Sequence, residues 1–139
     1  MKAAEELRKR NIRVCVHIIN GLPGEAYDDM IKTIKDISDL DINAVKIHML
    51  YILKDTPLFK LHEKEKFSIM KREDYIQTVA DQIELLPEEV VVERVTGDGK
   101  AGDLAAPLWS LNKISILNDI DKELARRNTW QGIKRNTEI

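Results

Sequence analysis

An apolar run that breaks into a glycine and proline turn, and then opens an amphipathic helix, constrains the fold of this chain most. Residues 12–19 are rich in β-branched side chains and apolar at both alternating positions, which is typical of a parallel strand covered on both faces. Gly21 and Gly24 permit backbone conformations that a Cβ forbids, and Pro23 rigidifies the turn between them. In α/β folds such a junction often adjoins a ligand that its exposed amides face. On spacing alone, an ordinary connection is the more frequent interpretation.

The rest of the chain alternates between helical and strand patterns. The predicted elements, in chain order, are a helix over 3–10, a strand over 12–19, a helix over 27–40, a strand over 44–53, a helix over 72–86, a strand over 90–95 and a last helix, capped by Ser110, that carries apolar residues from Ile114 to Leu124. A charged connector of one helical turn plus a loop is expected over 58–67, and a loop over 96–102. The order αβαβαβα predicts an α/β fold of parallel βαβ units with right-handed crossovers.

The composition fits a single domain, residues 1–139, that is large enough to bury a core without disulfides or a metal. Its 22 basic and 24 acidic residues give a net charge of -2, so charge alone favours neither a nucleic acid nor a membrane as partner. Cys15 is the single cysteine; we expect a small buried hydrophobe and a reducing compartment. No apolar run reaches the roughly 20 residues that cross a bilayer, and we expect a cytoplasmic protein. Any disorder is expected at 134–139.

Polar side chains follow the predicted strands at positions where a pocket commonly forms. His17 shares one face of the first strand with Cys15 and Ile19, while Lys46 and His48 share one face of the second. Arg94 stands near the end of the third strand. Each of these residues alone more often has a structural role, but burying several cationic groups without a ligand or a carboxylate is costly. Together they predict the binding of an anion or a polar substrate.

Several common motifs are absent from the sequence. Residues 97–100, Gly-Asp-Gly-Lys, lack the spacing and the hydroxyl residue of a phosphate-binding loop, and no GxGxxG, GxSxG or HExxH pattern occurs. His17, His48 and His62 are too dispersed to define a zinc site. A hydrolase reading lacks a nucleophile and base arrangement and ranks last.

Longer motifs point to a known family. The segments that carry the resemblance are His17-Ile-Ile-Asn-Gly-Leu-Pro-Gly-Glu25, residues 45–51 with Thr56-Pro57-Leu58, residues 94–99, residues 106–113 and Thr129-Trp130-Gln131-Gly132. This pattern resembles the C-terminal half of a radical S-adenosylmethionine domain. More closely, it is similar to an uncharacterised bacterial family related to the elongator-type tRNA-modifying catalytic subunit and to oxygen-independent coproporphyrinogen oxidase.

The resemblance implies about half of a partial (β/α)6 TIM-like barrel. Family members bind a [4Fe-4S] cluster through three cysteines in a CxxxCxxC motif, which this chain, with Cys15 alone, does not contain. We therefore expect a C-terminal fragment that carries the last three strands, with S-adenosylmethionine and the cluster as cofactors of the full-length parent and no metal ligand in this chain.

The resemblance also implies site residues, although it assigns no catalytic residue. The cofactor-binding candidates are Ile19, Gly21, Leu22, Gly24, Tyr51 and Leu53. His17 stands where the broader pattern often has glycine. Substrate-side candidates that would face the barrel lumen are His17, Lys46, His48 and Arg94, and candidates near its rim are Asp98, Trp109, Asn112 and Lys113.

These features lead to two functional expectations. The first is the S-adenosylmethionine- and substrate-facing half of a radical iron-sulfur enzyme, catalytically incomplete by itself, whose substrate is a small molecule or a tRNA. The second is a non-catalytic binding or interaction module. In both, an unpaired edge on the first strand predicts self-association.

Overall fold

The computed structural model of the protein describes residues 1–97 and 99–135. The helices are α1 (Lys2–Lys9), α2 (Tyr27–Ser38), α3 (Pro57–Glu63), α4 (Arg72–Leu85) and α5 (Lys113–Arg126), and a 3-10 helix spans Leu108–Leu111. The strands are β1 (Cys15–Asn20), β2 (Ala44–Met49), β3 (Ile52–Leu53), β4 (Val91–Arg94) and β5 (Leu104–Ala106). Within these residues, no helix has the length and apolar character needed to cross a membrane.

The main sheet is parallel and has the order β1-β2-β4. Helix α2 connects β1 to β2, and α3 and α4 lie between β2 and β4 in the chain, so the predicted βαβ arrangement is confirmed. The pairing sets Cys15 opposite Ala44 and Asn20 opposite Met49. The carboxyl ends of β1 and β2 therefore lie side by side, with the glycine turn directly beyond them.

Helices cover only one face of this sheet. Side chains of α2, α4 and α5 join the strand residues Ile18, Val45 and Ile47 in one core cluster. On the opposite face His17 is exposed and Ile19 is 45% exposed. The prediction that the first strand is covered on both faces was therefore wrong for the described chain: one set of alternating positions packs on helices, while the other lies on what we call the open face.

The second predicted strand is shorter than expected, because the chain leaves the parallel sheet after Met49. Ile52 and Leu53 form β3, which pairs antiparallel with β5 in a separate two-stranded sheet. The predicted loop after β4 thus leads into a strand. The connector contains the predicted helical segment, but this segment, α3, is seven residues long rather than one turn. It begins at Pro57 and is capped by Thr56, which accepts a hydrogen bond from the Phe59 amide at 3.2 Å.

Ser110 does not cap the last helix. It lies in the 3-10 helix, where its hydroxyl donates to the Pro107 carbonyl at 2.7 Å. The cap of α5 is Asn112, whose side-chain oxygen accepts from the Ser115 amide at 3.4 Å. Both residue types suit a helix start, and the intervening 3-10 turn moves the start past Ser110.

An irregularity in β4 changes which of its residues face the core. Lys46 pairs with Arg94 although Val45 pairs with Val92, so β4 holds one extra residue at this point. Val92 and Val95 both pack against the core. The two residues between them, Glu93 and Arg94, are therefore turned toward the open face, as expected of a β-bulge.

Charged side chains join the C-terminal segment to the helices in what we call the C-terminal clasp, formed by Asp81, Glu84, Glu123, Arg127 and Lys134. Arg127 donates to Asp81 and Glu84 at 2.6 Å each and to Glu123 at 2.8 Å. Lys134 Nζ lies 2.9 Å from the second Glu84 oxygen. Burial acts to raise the pKa of Glu84, but hydrogen bonds from Lys134, Thr129 and Arg127 outweigh it and hold the pKa below its ordinary value.

Candidate functional site

The turn after β1 has the backbone geometry that its glycines predict. Gly21 and Gly24 have φ values of 88° and 78°, in the region that favours glycine. The amides of Gly21 and Leu22 do not face an open site, however, because both donate to one Glu25 carboxylate oxygen, at 3.1 and 3.0 Å. The expectation that these turn amides are exposed to a ligand is corrected accordingly: the chain supplies its own anion at this position.

A buried amide pair fixes the end of β1 on the helix side. Asn20 donates to Gln82 at 2.8 Å and accepts from it at 2.9 Å, and the same Gln82 amide also donates to the Met30 carbonyl at 3.2 Å. Both side chains are almost fully buried. A buried amide pair of this kind is stable because each member satisfies the other, so it holds the turn in a fixed position relative to α2 and α4.

The open face carries most of the predicted substrate-side residues in one row. His17 pairs with Lys46, and Lys46 pairs with Arg94, so adjacent strands hold the three residues at one level of the sheet. His48 lies one level further along β2, and its ring stacks on that of His17 with centroids 5.4 Å apart. The structure thus brings His17, Lys46, His48 and Arg94 onto one surface.

The sequence reasoning missed Glu93, which also belongs to the open face. Arg13 donates to Glu93 at 2.8 Å, and Lys46 Nζ lies 3.8 Å from the other carboxylate oxygen. The hydrogen bond from Arg13 holds the pKa of Glu93 below its ordinary value. Burial, with the nearby Glu93 carboxylate 3.7 Å from its Sγ, raises the pKa of the Cys15 thiol. Alternation counted from Arg94, the residue predicted to face the lumen, places Glu93 on the core side, and no sequence signal indicates the bulge that puts both residues on the open face.

Tyr51 and Leu53, the second set of cofactor candidates, lie beside the loop that follows β4. The Tyr51 ring packs so closely on Gly97 that a Cβ there would overlap the ring and its hydroxyl. Leu53 lies in β3, on the short antiparallel sheet, and is largely exposed. Gly97 is therefore required for close approach rather than for turn geometry. Asp98, a rim candidate, falls outside the described residues.

The other rim candidates have structural contacts of their own. Trp109 donates from its indole nitrogen to the Met70 carbonyl at 3.2 Å, and its ring lies 5.5 Å from that of Tyr75. The Tyr75 hydroxyl donates to the Val95 carbonyl at 2.6 Å, and burial raises its pKa. Asn112 caps α5 and Lys113 begins it. This layer supports the end of β4 from the helix side.

A cleft of about 510 Å³ separates the glycine turn from the segment that precedes α4. Gly21, Leu22 and Glu25 line one wall, and Met70 and Lys71 line the other. A second, much smaller space of about 10 Å³ lies beside it, between Asn20, Met49 and Trp109.

Trp130 lies at the other end of the sheet from the turn. Its neighbour Gln131 donates to the carbonyls of Pro87 and Val90 at 2.6 Å each, just before β4 begins. Lys134 and Arg135 are also hydrogen bonded there, through the Glu84 carbonyl and the Ser38 carbonyl; the rest of the segment for which disorder was expected, 136–139, falls outside the described residues.

The described residues do not form a metal centre. Among residues 1–97 and 99–135, no group of three or more His, Cys, Asp or Glu side chains is placed to hold a metal ion. Cys15 is the only cysteine of the chain. A [4Fe-4S] cluster needs three thiolates in the family pattern, so it does not fit the residues of this chain.

The fold and the sequence now identify the family. Residues 42–126 match the Radical_SAM C-terminal domain. The chain belongs to the radical S-adenosylmethionine family. It is 47% identical over 132 residues to "Uncharacterized protein YtqA" of Bacillus subtilis (strain 168), covering 95% of this chain and 41% of that protein. It is 36% identical over 135 residues to "Uncharacterized protein MJ0486" of Methanocaldococcus jannaschii, covering 96% of this chain and 42% of that protein.

A solved structure shares the fold. The archaeal Methanocaldococcus infernus Elp3 with an N-terminal deletion superposes with a TM-score of 0.79 at 19% sequence identity, over 94% of this chain and 30% of that chain. This match confirms the predicted fold class, parallel βαβ units that make about half of a partial barrel. The chain spans about two fifths of the length of the two curated relatives named above.

Proposed function

We propose that this chain forms the S-adenosylmethionine- and substrate-facing half of a radical enzyme. The observation that carries the proposal is the asymmetry of the sheet: helices cover one face, while the open face presents polar residues beside an exposed apolar end of β1. Ligands of α/β folds bind at the carboxyl ends of the strands, where this surface lies.

The adenine-side candidates lie at that end of β1. Ile19 and Leu22 are 45% and 43% exposed, and two neighbouring exposed aliphatic side chains suit contact with a flat, largely apolar ring. Gly21 and Gly24 between and beyond them leave the backbone accessible. Tyr51 and Leu53 supply the second wall in this proposal.

In this proposal, this chain binds part of S-adenosylmethionine, and the rest of a full-length parent binds the cluster. The cluster supplies the electron that cleaves S-adenosylmethionine in such enzymes, and its ligands are absent from this chain. The role proposed here for the described residues is binding and orientation of the nucleoside and the substrate. By itself the chain is then catalytically incomplete.

The first test measures S-adenosylmethionine binding to this chain by saturation-transfer NMR, with the adenine protons as reporter. We expect weak binding that Ile19→Asp abolishes, because a carboxylate at this position opposes contact with an apolar ring. The matched control is Ile114→Asp, since Ile114 is a 73% exposed isoleucine on α5. Absence of a signal from the unmodified chain, or equal loss in both variants, contradicts the proposal.

A second test examines the parent protein. The gene upstream of this segment should encode a three-cysteine motif, and the intact protein, reconstituted with iron and sulfide without oxygen, should cleave S-adenosylmethionine under reduction. A natural protein that begins at Met1 would contradict the radical mechanism.

One observation favours the alternative of a non-catalytic interaction module. β1 is an edge of the described sheet and has a partner, β2, on one side only. Such an edge can bind another chain by strand pairing. This alternative predicts that no cluster-binding domain precedes the chain. A small molecule and a tRNA remain the two substrate proposals for the radical enzyme.

A further inference from the structure

We propose that the substrate bound on the open face carries an anionic group, a carboxylate or a phosphate, and that His17, Lys46 and Arg94 bind it. This inference rests on the substrate-facing role proposed above. The register places the three residues at one level on adjacent strands. Because neighbouring strands lie about 4.8 Å apart, the row spans about 10 Å, which is wide enough for a group with several anionic oxygens.

The charge balance of the surface supports an anion. Among the described residues of β1, β2 and β4, Lys46 and Arg94 are cationic and Glu93 is the one carboxylate. That carboxylate is already bound at 2.8 Å by Arg13, which precedes β1. Lys46 reaches its second oxygen only at 3.8 Å, beyond hydrogen-bond distance. Arg13 and Lys46 therefore share the Glu93 carboxylate, and Lys46 is the one of the two that makes no hydrogen bond to it.

Lys46 is the central residue of the proposed site. Its side chain is only 28% exposed, and among the described residues no acceptor lies within hydrogen-bond distance of its ammonium. A partly desolvated cation gains more from an anionic ligand than a fully solvated one does. Arg94 has a contact of its own within the chain and adds charge at one end of the row, while His17 offers a ring nitrogen at the other.

The bulge in β4 builds this arrangement. Without the bulge, strict alternation from Val92 through Glu93 would turn Arg94 to the helix side, where the core is apolar. With it, Arg94 lies level with Lys46 on the open face. Bulges often redirect side chains near binding sites, and here the redirected side chains are a cation and the carboxylate that partly balances it.

The test titrates this chain with inorganic pyrophosphate and, separately, with tricarballylate, at constant ionic strength, and follows the backbone amides by NMR. We expect at least one anion to shift the amides around Lys46, and the identity of that anion tells a phosphate from a carboxylate ligand. Lys46→Gln should weaken binding roughly tenfold, as the loss of one charged hydrogen bond does. Glu93→Gln should strengthen it about threefold, because a competing negative charge is removed.

The opposite signs of these two changes separate a binding role from a structural one. The control variants are Lys32→Gln and Asp36→Asn, which alter an exposed ion pair on α2 with a 2.6 Å contact, and each should change binding less than twofold. The inference is overturned if neither anion binds, if Lys32→Gln weakens binding as much as Lys46→Gln, or if Glu93→Gln weakens it. S-adenosylmethionine binding by the unmodified chain, measured in parallel, distinguishes this failure from failure of the proposed function.

Discussion

At the scale of single residues, the glycine turn shows that a backbone with anion-binding geometry does not by itself indicate a ligand site. Gly21 needs its positive φ, and the amides of Gly21 and Leu22 point at a carboxylate, as in an anion-binding turn. The carboxylate is Glu25 of the same chain. The turn is therefore a self-completed structure, and a nucleoside at this end of the sheet would meet exposed side chains and backbone rather than a vacant amide pair.

Replacing Gly21 by alanine should lower the free energy of unfolding by about 1–2 kcal/mol, because a Cβ disfavours a left-handed backbone by that amount. The nearest atom to the new Cβ would be Met70 Cβ at 3.4 Å, so strain rather than a clash causes the loss. Urea unfolding measures it. The matched control is Gly102→Ala, since a Cβ at Gly102 meets nothing within 4 Å and its φ lies outside the left-handed region. Equal effects of the two substitutions would contradict this explanation.

At Gly97, glycine is needed for a different reason, because the Tyr51 ring lies where a Cβ of residue 97 would be. Gly97→Ala should displace Tyr51 and destabilise the fold, and the second substitution Tyr51→Ala should recover part of the loss, since it removes the overlapping atoms. A double-mutant cycle in urea unfolding gives the coupling. Additive losses would show that Tyr51 and Gly97 do not interact as described.

At the scale of elements, the hydrophobic patterns predicted the long helices and strands but neither the short strands nor the bulge. The β-branched run of β1 and the helical periodicity of α2 and α4 identified the parallel sheet, because long apolar patterns report burial directly. β3 and β5 were missed because strands of two or three residues are too short to show an alternation of apolar and polar side chains. The bulge in β4 was missed because alternation cannot show an inserted residue, and this error removed Glu93 from the predicted site while His17, Lys46 and His48 were placed correctly on one face.

The attachment of β1 to α4 depends on a polar pair that the apolar patterns did not indicate. Asn20 and Gln82 are both almost fully buried, and each satisfies the other. Gln82→Ala should cost about 1–3 kcal/mol, the penalty of leaving a buried amide without its partner. In a double-mutant cycle, Asn20→Ala should lower the free energy of unfolding much less in the Gln82→Ala variant than in the unmodified chain. Full additivity in urea unfolding would contradict a mutual role.

At the scale of the whole molecule, the C-terminal clasp makes stability depend on pH. Hydrogen bonds from Arg126 and Arg127 lower the pKa of Glu123 to about 2, and the pKa of Glu84 is also lowered. The unfolded chain, with ordinary carboxyl pKa values near 4.5, then binds protons before the folded chain does. The stabilisation is complete above about pH 4.5 and is lost as the pH falls toward 2.

We therefore expect the urea midpoint to fall steeply between pH 5 and pH 3, a window that lies around and below the ordinary carboxyl pKa. Glu123→Gln should reduce this dependence, while Asp36→Asn, in an exposed pair, should leave it unchanged. Asp119 and Glu93, whose pKa values are lowered by Arg72 and Arg13, destabilise the fold at low pH in the same way. The urea midpoint of Glu123→Gln should therefore still fall with pH, but less steeply than that of the unmodified chain. An unchanged slope in Glu123→Gln would contradict the assignment.

The edge of β1 leads to a prediction about association. The chain has a mass of 16.0 kDa, and strand pairing through β1 should give a light-scattering mass that rises above this value with concentration. Ile19→Lys should shift the population toward the monomer, since charged residues on an edge strand oppose pairing. A mass that stays at that of the monomer over a broad concentration range would contradict the prediction.

The extra residue in β4 also determines how this segment tolerates insertions and deletions. Deleting Glu93 would restore unbroken alternation after Val92 without turning its neighbours: Arg94 would stay level with Lys46 on the open face, and Val95 would stay against the core. A related sequence shorter by one residue here should therefore lose the carboxylate and keep both the cation and the apolar residue on their faces. A further inserted residue, in contrast, would exchange the sides of Arg94 and Val95 unless the bulge lengthened with it.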